Sequence, residues 1–371
     1  MLDALFAHRI DAIPDDLAAL RRALPTHGGV YLLTDEQDQT VQLAACESLR
    51  RVLTRRLDPD RAASADRRAD LRAVVRRIHY QPTHSAFETA LAFHRIARGL
   101  HPNTSRDLCT LRPVYFARVD PNDPLPRFVV VRQILGDDEG TAIGPFPTRT
   151  RAAHFIEQIE DLFDLCREHA ILDQTPNGVP CVYFDMGRCP APCNGSIPLE
   201  AYRRSIDQAA RFAAGDRADW FTEWTNRMRT ASANRDFETA GRLKTRIERA
   251  DKLAGPHHEP ITDMRRFRFL AVQRGGGRSK VKPFYIHGGH ITVGEPIPLR
   301  QLDEVIDSWH QIAAKPPKSP ATDPVLYTER IGLVAHFLFK QDRAPGLFIR
   351  IDRLPAPAIL AERIRARFAS T

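Results

Sequence analysis

The chain lacks any apolar run close to the roughly 20 residues that a membrane-crossing helix needs, so a helix-spanning membrane protein is not expected. Its first residues, MLDALFAHRIDAI, carry Asp3, Arg9 and Asp11 where a secretory leader would be uninterrupted, and the expected location is the cytoplasm. No internal repeat is visible, which argues against a solenoid or propeller. Cysteine is sparse, six in 371 residues, and cytoplasmic thiols are rarely kept as disulfides. Positive charge, by contrast, is plentiful: the formal net charge is +8 and the isoelectric point about 9.4, with arginine supplying most of the surplus. Guanidinium groups grip phosphate bidentately, so a nucleic-acid partner is favoured over a merely soluble surface. With 43% hydrophobic and 27% charged residues the composition is that of an ordinary folded protein, long enough for about two to four modules.

Hydrophobic periodicity divides the chain. Residues 1–24 read as a helix, with Leu17, Leu20 and Leu24 at helical spacing and Pro14 near its start. Two short apolar runs, 28–33 and 40–44, flank a turn-like 35–39 and predict a hairpin. A basic helix over 47–57 carries Arg50, Arg51, Arg55 and Arg56. A second arginine-rich helical stretch lies within 58–78 and includes Arg67 to Arg77. Ser85 then opens a helix to about Gly99. Strands are expected at 115–119 and 128–134, and a helix-like run ends near Phe163. Further on, one helix gathers Trp220, Trp224, Met228 and Ala231 on one face, and the next gathers Phe237, Ala240, Leu243 and Ile247. Only Asn234, Arg235 and Asp236 separate them, which predicts an antiparallel helical hairpin. Strands follow at 267–273, 282–287 and 290–294 around a Gly275-Gly276-Gly277 turn. Residues 315–324 read as a linker, and the C-terminal stretch as helix, strand and helix. The fold class is therefore α+β and multidomain: an N-terminal helix (1–24), a small α/β domain (25–105), linker strands with a cysteine segment (106–215), a helical hairpin (216–255) and a strand-rich α+β region (256–371).

Cys166, Cys181, Cys189 and Cys193 follow a C-x14-C-x7-C-x3-C pattern, four of the six cysteines within 28 positions. Thiolates select zinc or iron–sulfur centres. Zinc fingers usually show two close pairs, and the gap of seven does not fit them, so the spacing leans towards a cluster with Zn²⁺ as the alternative. Four buried small hydrophobes without metal is the third reading.

The run from Pro180 to Tyr202, PCVYFDMGRCPAPCNGSIPLEAY, resembles the cysteine-rich segment of the UvrC family, the nuclease subunit of bacterial nucleotide excision repair. The GPFP run at 144–147, the helix-like run after it and the spacing of Cys166 extend the resemblance. It implies that Cys166, Cys181, Cys189 and Cys193 hold a [4Fe-4S] cluster. Gly29-Val30-Tyr31, a second strand and a basic helix resemble the family's GIY-YIG nuclease domain. The resemblance implies a tyrosine that helps deprotonate water, a helix arginine that neutralises phosphate and a glutamate that holds Mg²⁺ or Mn²⁺. Tyr31, Arg51 and Glu88 are the candidates for these roles.

The departures from that pattern are specific. The second half of the motif reads Gln42-Leu43-Ala44, Ala45 stands where a lysine usually follows, and Val52 stands where the arginine is expected. Arg51 is one residue away, about a third of a helical turn. Ser85 and Glu88 have capping-box spacing, so Glu88 is either a cap or a metal ligand. Loss of one electrostatic stabiliser costs about 10² to 10³ in rate, and loss of several predicts a weak or inactive site on a domain kept for binding. Arg50, Arg51, Arg55 and Arg56 are then candidate DNA contacts, or simply a solvated face.

Residues 228–253 resemble the UVR motif, which implies docking on a matching hairpin of a UvrB-like partner through Phe237, Glu238, Ala240, Arg242, Leu243 and Ile247. Packing within the chain is the alternative. Gly241, where the family usually has alanine, weakens the helix by up to about 1 kcal/mol. No run resembles the family's RNase H-like second nuclease, so 5′-side incision is not expected. The leading expectation is a UvrC-like DNA-repair protein with a degenerate endonuclease site. The alternatives are an active single-site metal-dependent endonuclease using Tyr31, Arg51 and Glu88, and an adaptor that binds a UvrB-type hairpin without touching DNA.

Overall fold

A computed structural model describes residues 2–11, 16–58, 71–109, 112–135, 140–254, 261–277, 279–315, 323–340 and 346–369. The N-terminal part is a four-stranded antiparallel sheet of β1 (His8–Ile10), β2 (Gly29–Thr34), β3 (Thr40–Cys46) and β4 (Arg77–Pro82), in the order β1-β4-β2-β3. Every residue of β2 is buried, because alternate side chains of a strand enter opposite faces and both faces are covered here. Tyr31 and Leu33 pack beneath helices α1 (Leu17–Ala23) and α2 (Leu49–Arg56), while Val30 and Leu32 join Ile96 of α3 (Ala86–Leu100). Gly29 is required by close approach: a Cβ there would lie 2.4 Å from the Gln81 carbonyl oxygen of the neighbouring strand.

Two expectations change in this part. Residues 1–24 are not one helix, because His8, Arg9 and Ile10 pair with Tyr80, His79 and Ile78 and supply the outer strand that β4 would otherwise lack. The arginine-rich stretch 58–78 is not one helix either. Residues 59–70, Arg67 among them, lie outside the described residues, as does Pro14. Beyond a single turn at Leu71–Val74 the chain becomes β4, with Ile78 and Tyr80 on the α2 side and His79 against Phe6 on the other.

The middle part is a second antiparallel sheet of β5 (Tyr115–Val119), β6 (Val129–Val131), β7 (Thr141–Phe146) and β8 (Thr262–Asp263), in the order β6-β5-β7-β8. Helix α4 (Arg149–Phe163) is opened by Thr148, whose hydroxyl accepts the Arg151 N–H, and lays Phe155, Ile159 and Leu162 across the sheet. Helix α5 (Leu199–Ala213), which the sequence reading did not pick out, packs on α4. The expected hairpin follows as α6 (Ala218–Ala233) and α7 (Phe237–Ala254), with Arg235 in the left-handed region at φ 59 and Asp236 accepting the Thr239 N–H.

The C-terminal sheet contains β9 (Arg268–Arg274), β10 (Lys280–His287), β11 (His290–Val293), β12 (Ile297–Pro298) and β13 (Leu347–Arg350). Its order is β11-β10-β9-β13, with β12 also paired to β10. Helices α8 (Leu302–Ala314) and α10 (Pro357–Ala369) cover one face, and α9 (Pro324–Leu338) covers the other. The expected linker at 315–324 is bounded by the end of α8 and by Asp323, the N-cap of α9; residues 316–322 lie outside the described residues. Helix α3 is shared between lobes: Ile96 serves the N-terminal sheet, and Phe87 sits edge-on to Phe284 of β10 at 5.1 Å. The architecture is α+β, with antiparallel sheets and helices in each part. No described helix is long and apolar enough to cross a membrane.

Candidate functional site

The three residues singled out for hydrolysis occupy separate environments. Tyr31 is 2% exposed, and burial pushes its hydroxyl above the usual tyrosine range against the opposing effect of the Arg56 guanidinium. Arg51 lies on the outer face of α2 and pairs at 3.7 Å with Glu47, one turn back, while Val52 turns towards the core. Glu88 sits in the first turn of α3. The Ser85 hydroxyl accepts its N–H at 3.1 Å, its Oε2 accepts the His84 N–H at 2.8 Å, and its Oε1 receives the Lys282 ammonium of β10 at 2.8 Å. Both carboxylate oxygens are therefore engaged on a side chain only 12% exposed, and a divalent cation there would have to displace Lys282. Of the basic helix, Arg50 is tied by its Nε to the Leu24 carbonyl at 2.8 Å, and Arg55 and Arg56 are exposed.

A cavity of about 920 Å³ opens beside this lobe, bordered by the start of β2, the end of β3, the first turns of α3 and the β9–β10 turn. His27 and His84, whose ring centroids are 4.4 Å apart, line it with Cys46, Cys109, Phe93 and Arg274, whereas Tyr31, Arg51 and Glu88 do not. Burial, and then His27, holds the His84 imidazole below the usual histidine range. These lining residues come from separate segments, so no spacing in the sequence pointed to them.

The cysteine segment brings its thiols together more tightly. Cys166, Cys189 and Cys193 are buried, and Cys181 is half-buried at the start of a single turn, Val182–Asp185. Cys166 and Cys189 share a side-chain hydrogen bond. That bond is the main reason the Cys189 thiol is lowered to about 6 and, with burial, the main reason Cys166 is raised. Burial also raises Cys193. The Tyr202 hydroxyl of α5 accepts the Cys166 N–H at 3.3 Å, and the Cys193 carbonyl accepts the Gly178 N–H at 2.9 Å. Arg167 clamps the loop: it pairs with Asp161 at 2.5 Å, donates to the Arg188 carbonyl at 3.0 Å and lies 4.8 Å over the Tyr183 ring. Thiols are the ligand type that soft metals prefer. Among the described residues, however, no three His, Cys, Asp or Glu side chains are arranged to hold an ion.

The hairpin's expected contact residues divide into two groups. Leu243 is 6% exposed and packs in the Trp224 cluster with Ala250 and Leu253, Ile247 lies partly buried beside them, and Ala240 is half-buried. Arg246 pairs with Asp164 at the end of α4 at 2.6 Å. Phe237 is 70% exposed, and Glu238 and Arg242 are exposed with it. The single apolar face expected for α7 is thus covered by the chain's own core over its middle and end, and open at its first turn.

A family model described as the UvrC/Cho excinuclease middle domain matches residues 114–212. Curated relatives named UvrABC system protein C align over most of the chain. That of Geobacter metallireducens is 25% identical over 271 residues, 72% of this chain and 43% of the relative. That of Methanothermobacter thermautotrophicus is 26% identical over 327 residues, 85% and 53% respectively. The chain is thus similar to UvrC proteins over most of its length, and most specifically in its middle part. It spans about half the length of the UvrC relatives it matches. No solved structure matches it. The matched UvrC middle-domain segment contains all four cysteines of the pattern together with α4 and α5, the helices that frame them. Tyr202, which supports Cys166, lies in this segment; the sequence reading quoted it for resemblance but gave it no role.

Proposed function

We propose that this UvrC-like chain is a DNA-binding protein of nucleotide excision repair whose GIY-YIG-like lobe no longer hydrolyses phosphodiesters. The observation that carries the second half is the state of Glu88, whose two oxygens are held by the His84 N–H and by Lys282. Phosphodiester hydrolysis needs preorganised groups converging on one phosphate. Tyr31 lies in the core below α2 and Arg51 projects to solvent instead. The basic surplus supports DNA binding, with Arg55 and Arg56 as exposed candidates.

In this reading Cys166, Cys181, Cys189 and Cys193 hold a [4Fe-4S] cluster, with Zn²⁺ as the competing occupant. When bound, a cluster supplies iron–thiolate bonds across the loop between α4 and α5 and a redox-active centre. The hairpin serves a UvrB-like partner through its exposed first turn, Phe237 and Glu238. The 70% exposure of Phe237 supports this role, and it would equally serve the adaptor reading in which DNA is not touched.

Titration of a labelled duplex with anaerobically purified protein over a salt series tests the proposal. Affinity falling linearly on a log–log salt plot, as phosphate contacts require, is the expected result. Absence of binding at low salt, with Phe237-dependent capture of a UvrB-like hairpin intact, would favour the adaptor.

A further inference from the structure

A groove of about 560 Å³ runs between the Met186–Arg188 end of the cysteine loop and helix α7. Five arginines line it against two aspartates. Arg246 and Arg249 are matched to those aspartates, Asp164 at 2.6 Å and Asp161 at 3.7 Å, and Arg227 pairs with Glu223 one turn back on α6. Arg188 and Arg242 form no ion pair among the described residues. Arg242 donates only to the Thr239 hydroxyl, at 3.3 Å. Arg188 from the loop and Arg242 from the helix thus line the groove without an ion pair among the described residues.

The same loop exposes an unusual amount of apolar surface. Val182 is 61%, Phe184 40% and Met186 57% exposed within a single turn, with Asp185 the turn's only acid. Of these Met186 lines the groove, and exposed apolar side chains on the loop that borders a charged cleft suit a surface that is covered in use. The turn is not loose: Arg167 ties its far end through the Arg188 carbonyl and its middle through the Tyr183 ring. Arginines for phosphates next to aromatic and thioether side chains for base faces is the combination that binds unpaired nucleic-acid strands.

We propose that this groove binds a nucleic-acid strand with unpaired bases, its phosphates on Arg188 and Arg242 and a base against Phe184 and Met186. The inference rests on the DNA-binding reading above and moves the principal contact from α2 to the cysteine loop.

The test is fluorescence anisotropy with the anaerobically purified full chain and two labelled duplexes of equal length, one fully paired and one with a central unpaired bubble, across a KCl series. Replacing both arginines (Arg188→Ala, Arg242→Ala) is expected to weaken both duplexes at least about tenfold and to reduce the salt slope by about one per residue. The lysine pair (Arg188→Lys, Arg242→Lys) is expected to restore most of the slope, which guards against misfolding as the cause. The Phe184→Ala, Met186→Ala variant should lose about tenfold on the bubble alone and keep the wild-type slope. Arg55→Ala with Arg56→Ala should change less than the groove pair. If wild type binds with a steep slope and the groove variants match it, the groove assignment is overturned and the DNA reading stands. If wild type binds neither duplex, both are overturned. Displacement of the bubble by equimolar poly-glutamate would overturn the strand assignment in favour of an acidic protein partner.

Discussion

In the N-terminal lobe Glu88 closes a helix cap and neutralises Lys282, whereas in the middle region Cys166, Cys189 and Cys193 are buried together, Cys166 and Cys189 within the apolar core of that part. The N-terminal lobe has the opposite character: Gly29, the fully buried β2 and the Phe87 contact of α3 are what two packed sheets require, and Glu88 and Arg51 are engaged by a cap and by ion pairs. A domain can lose its reaction and keep its shape because shape is distributed over many apolar positions, while hydrolysis depends on a few polar side chains that converge.

The sharpest way to break this contrast is at Cys189. If the cysteines hold a metal centre, Cys189→Ser is expected to remove bound iron and acid-labile sulfide and to lower unfolding free energy by roughly 5 kcal/mol, because metal binding couples to folding. Metal analysis with a denaturant melt checks both. A melt shifted by only about 1 kcal/mol, in a wild type that carries no metal, would mean packing alone.

The next effect is at Glu88. Removing it (Glu88→Ala) deletes the cap contact to His84 and leaves Lys282 partly buried without its partner, an expected loss of about 2 kcal/mol in a chemical melt. Lys282→Ala should cost less on the Glu88→Ala background than alone, and additivity would show that the pair does not couple.

Acid provides a third, smaller handle on the N-terminal lobe. Burial holds both His79 and His84 below the usual histidine value of 6.5, and His79, 1% exposed, has neither ring nitrogen hydrogen-bonded. The unfolded chain therefore takes up protons more readily than the folded one. The stability these residues contribute is fully present above pH 6.5 and falls as the pH drops through and below it. His79→Leu should flatten this part of the stability–pH curve, and an unchanged slope would contradict the assignment.

The smallest expected stability effect is at Phe237. Its exposure predicts that Phe237→Ala changes stability by no more than about 0.5 kcal/mol while abolishing capture of a UvrB-like hairpin, measured by co-elution. A large drop in stability with partner binding intact would reverse that reading.

Much of the local structure was legible because its signals are local. Ser85 caps its helix as its spacing to Glu88 indicates, and the α6–α7 hairpin follows from two amphipathic runs and a three-residue break. Strand β4 was not, because a basic run conceals the two-residue alternation of Ile78 and Tyr80, and β1 forms only when β4 offers it an edge. At the candidate sites, Glu88 could be read as cap or ligand from spacing alone. Its ion pair with Lys282, 194 positions away, has no local signature. Likewise the face of α7 was visible, but not that α4 and Trp224 would cover Leu243 and leave Phe237 open.

The central proposal is that the N-terminal lobe has a GIY-YIG-like fold and does not hydrolyse phosphodiesters. The most direct measurement is cleavage of a nicked or damaged, end-labelled duplex by anaerobically purified protein with Mg²⁺ or Mn²⁺, beside Glu88→Ala and Tyr31→Phe. The account predicts that none of the three cuts while all bind the duplex in a salt-dependent way. Cutting by wild type that both substitutions abolish would contradict it and establish a rearranged nuclease site.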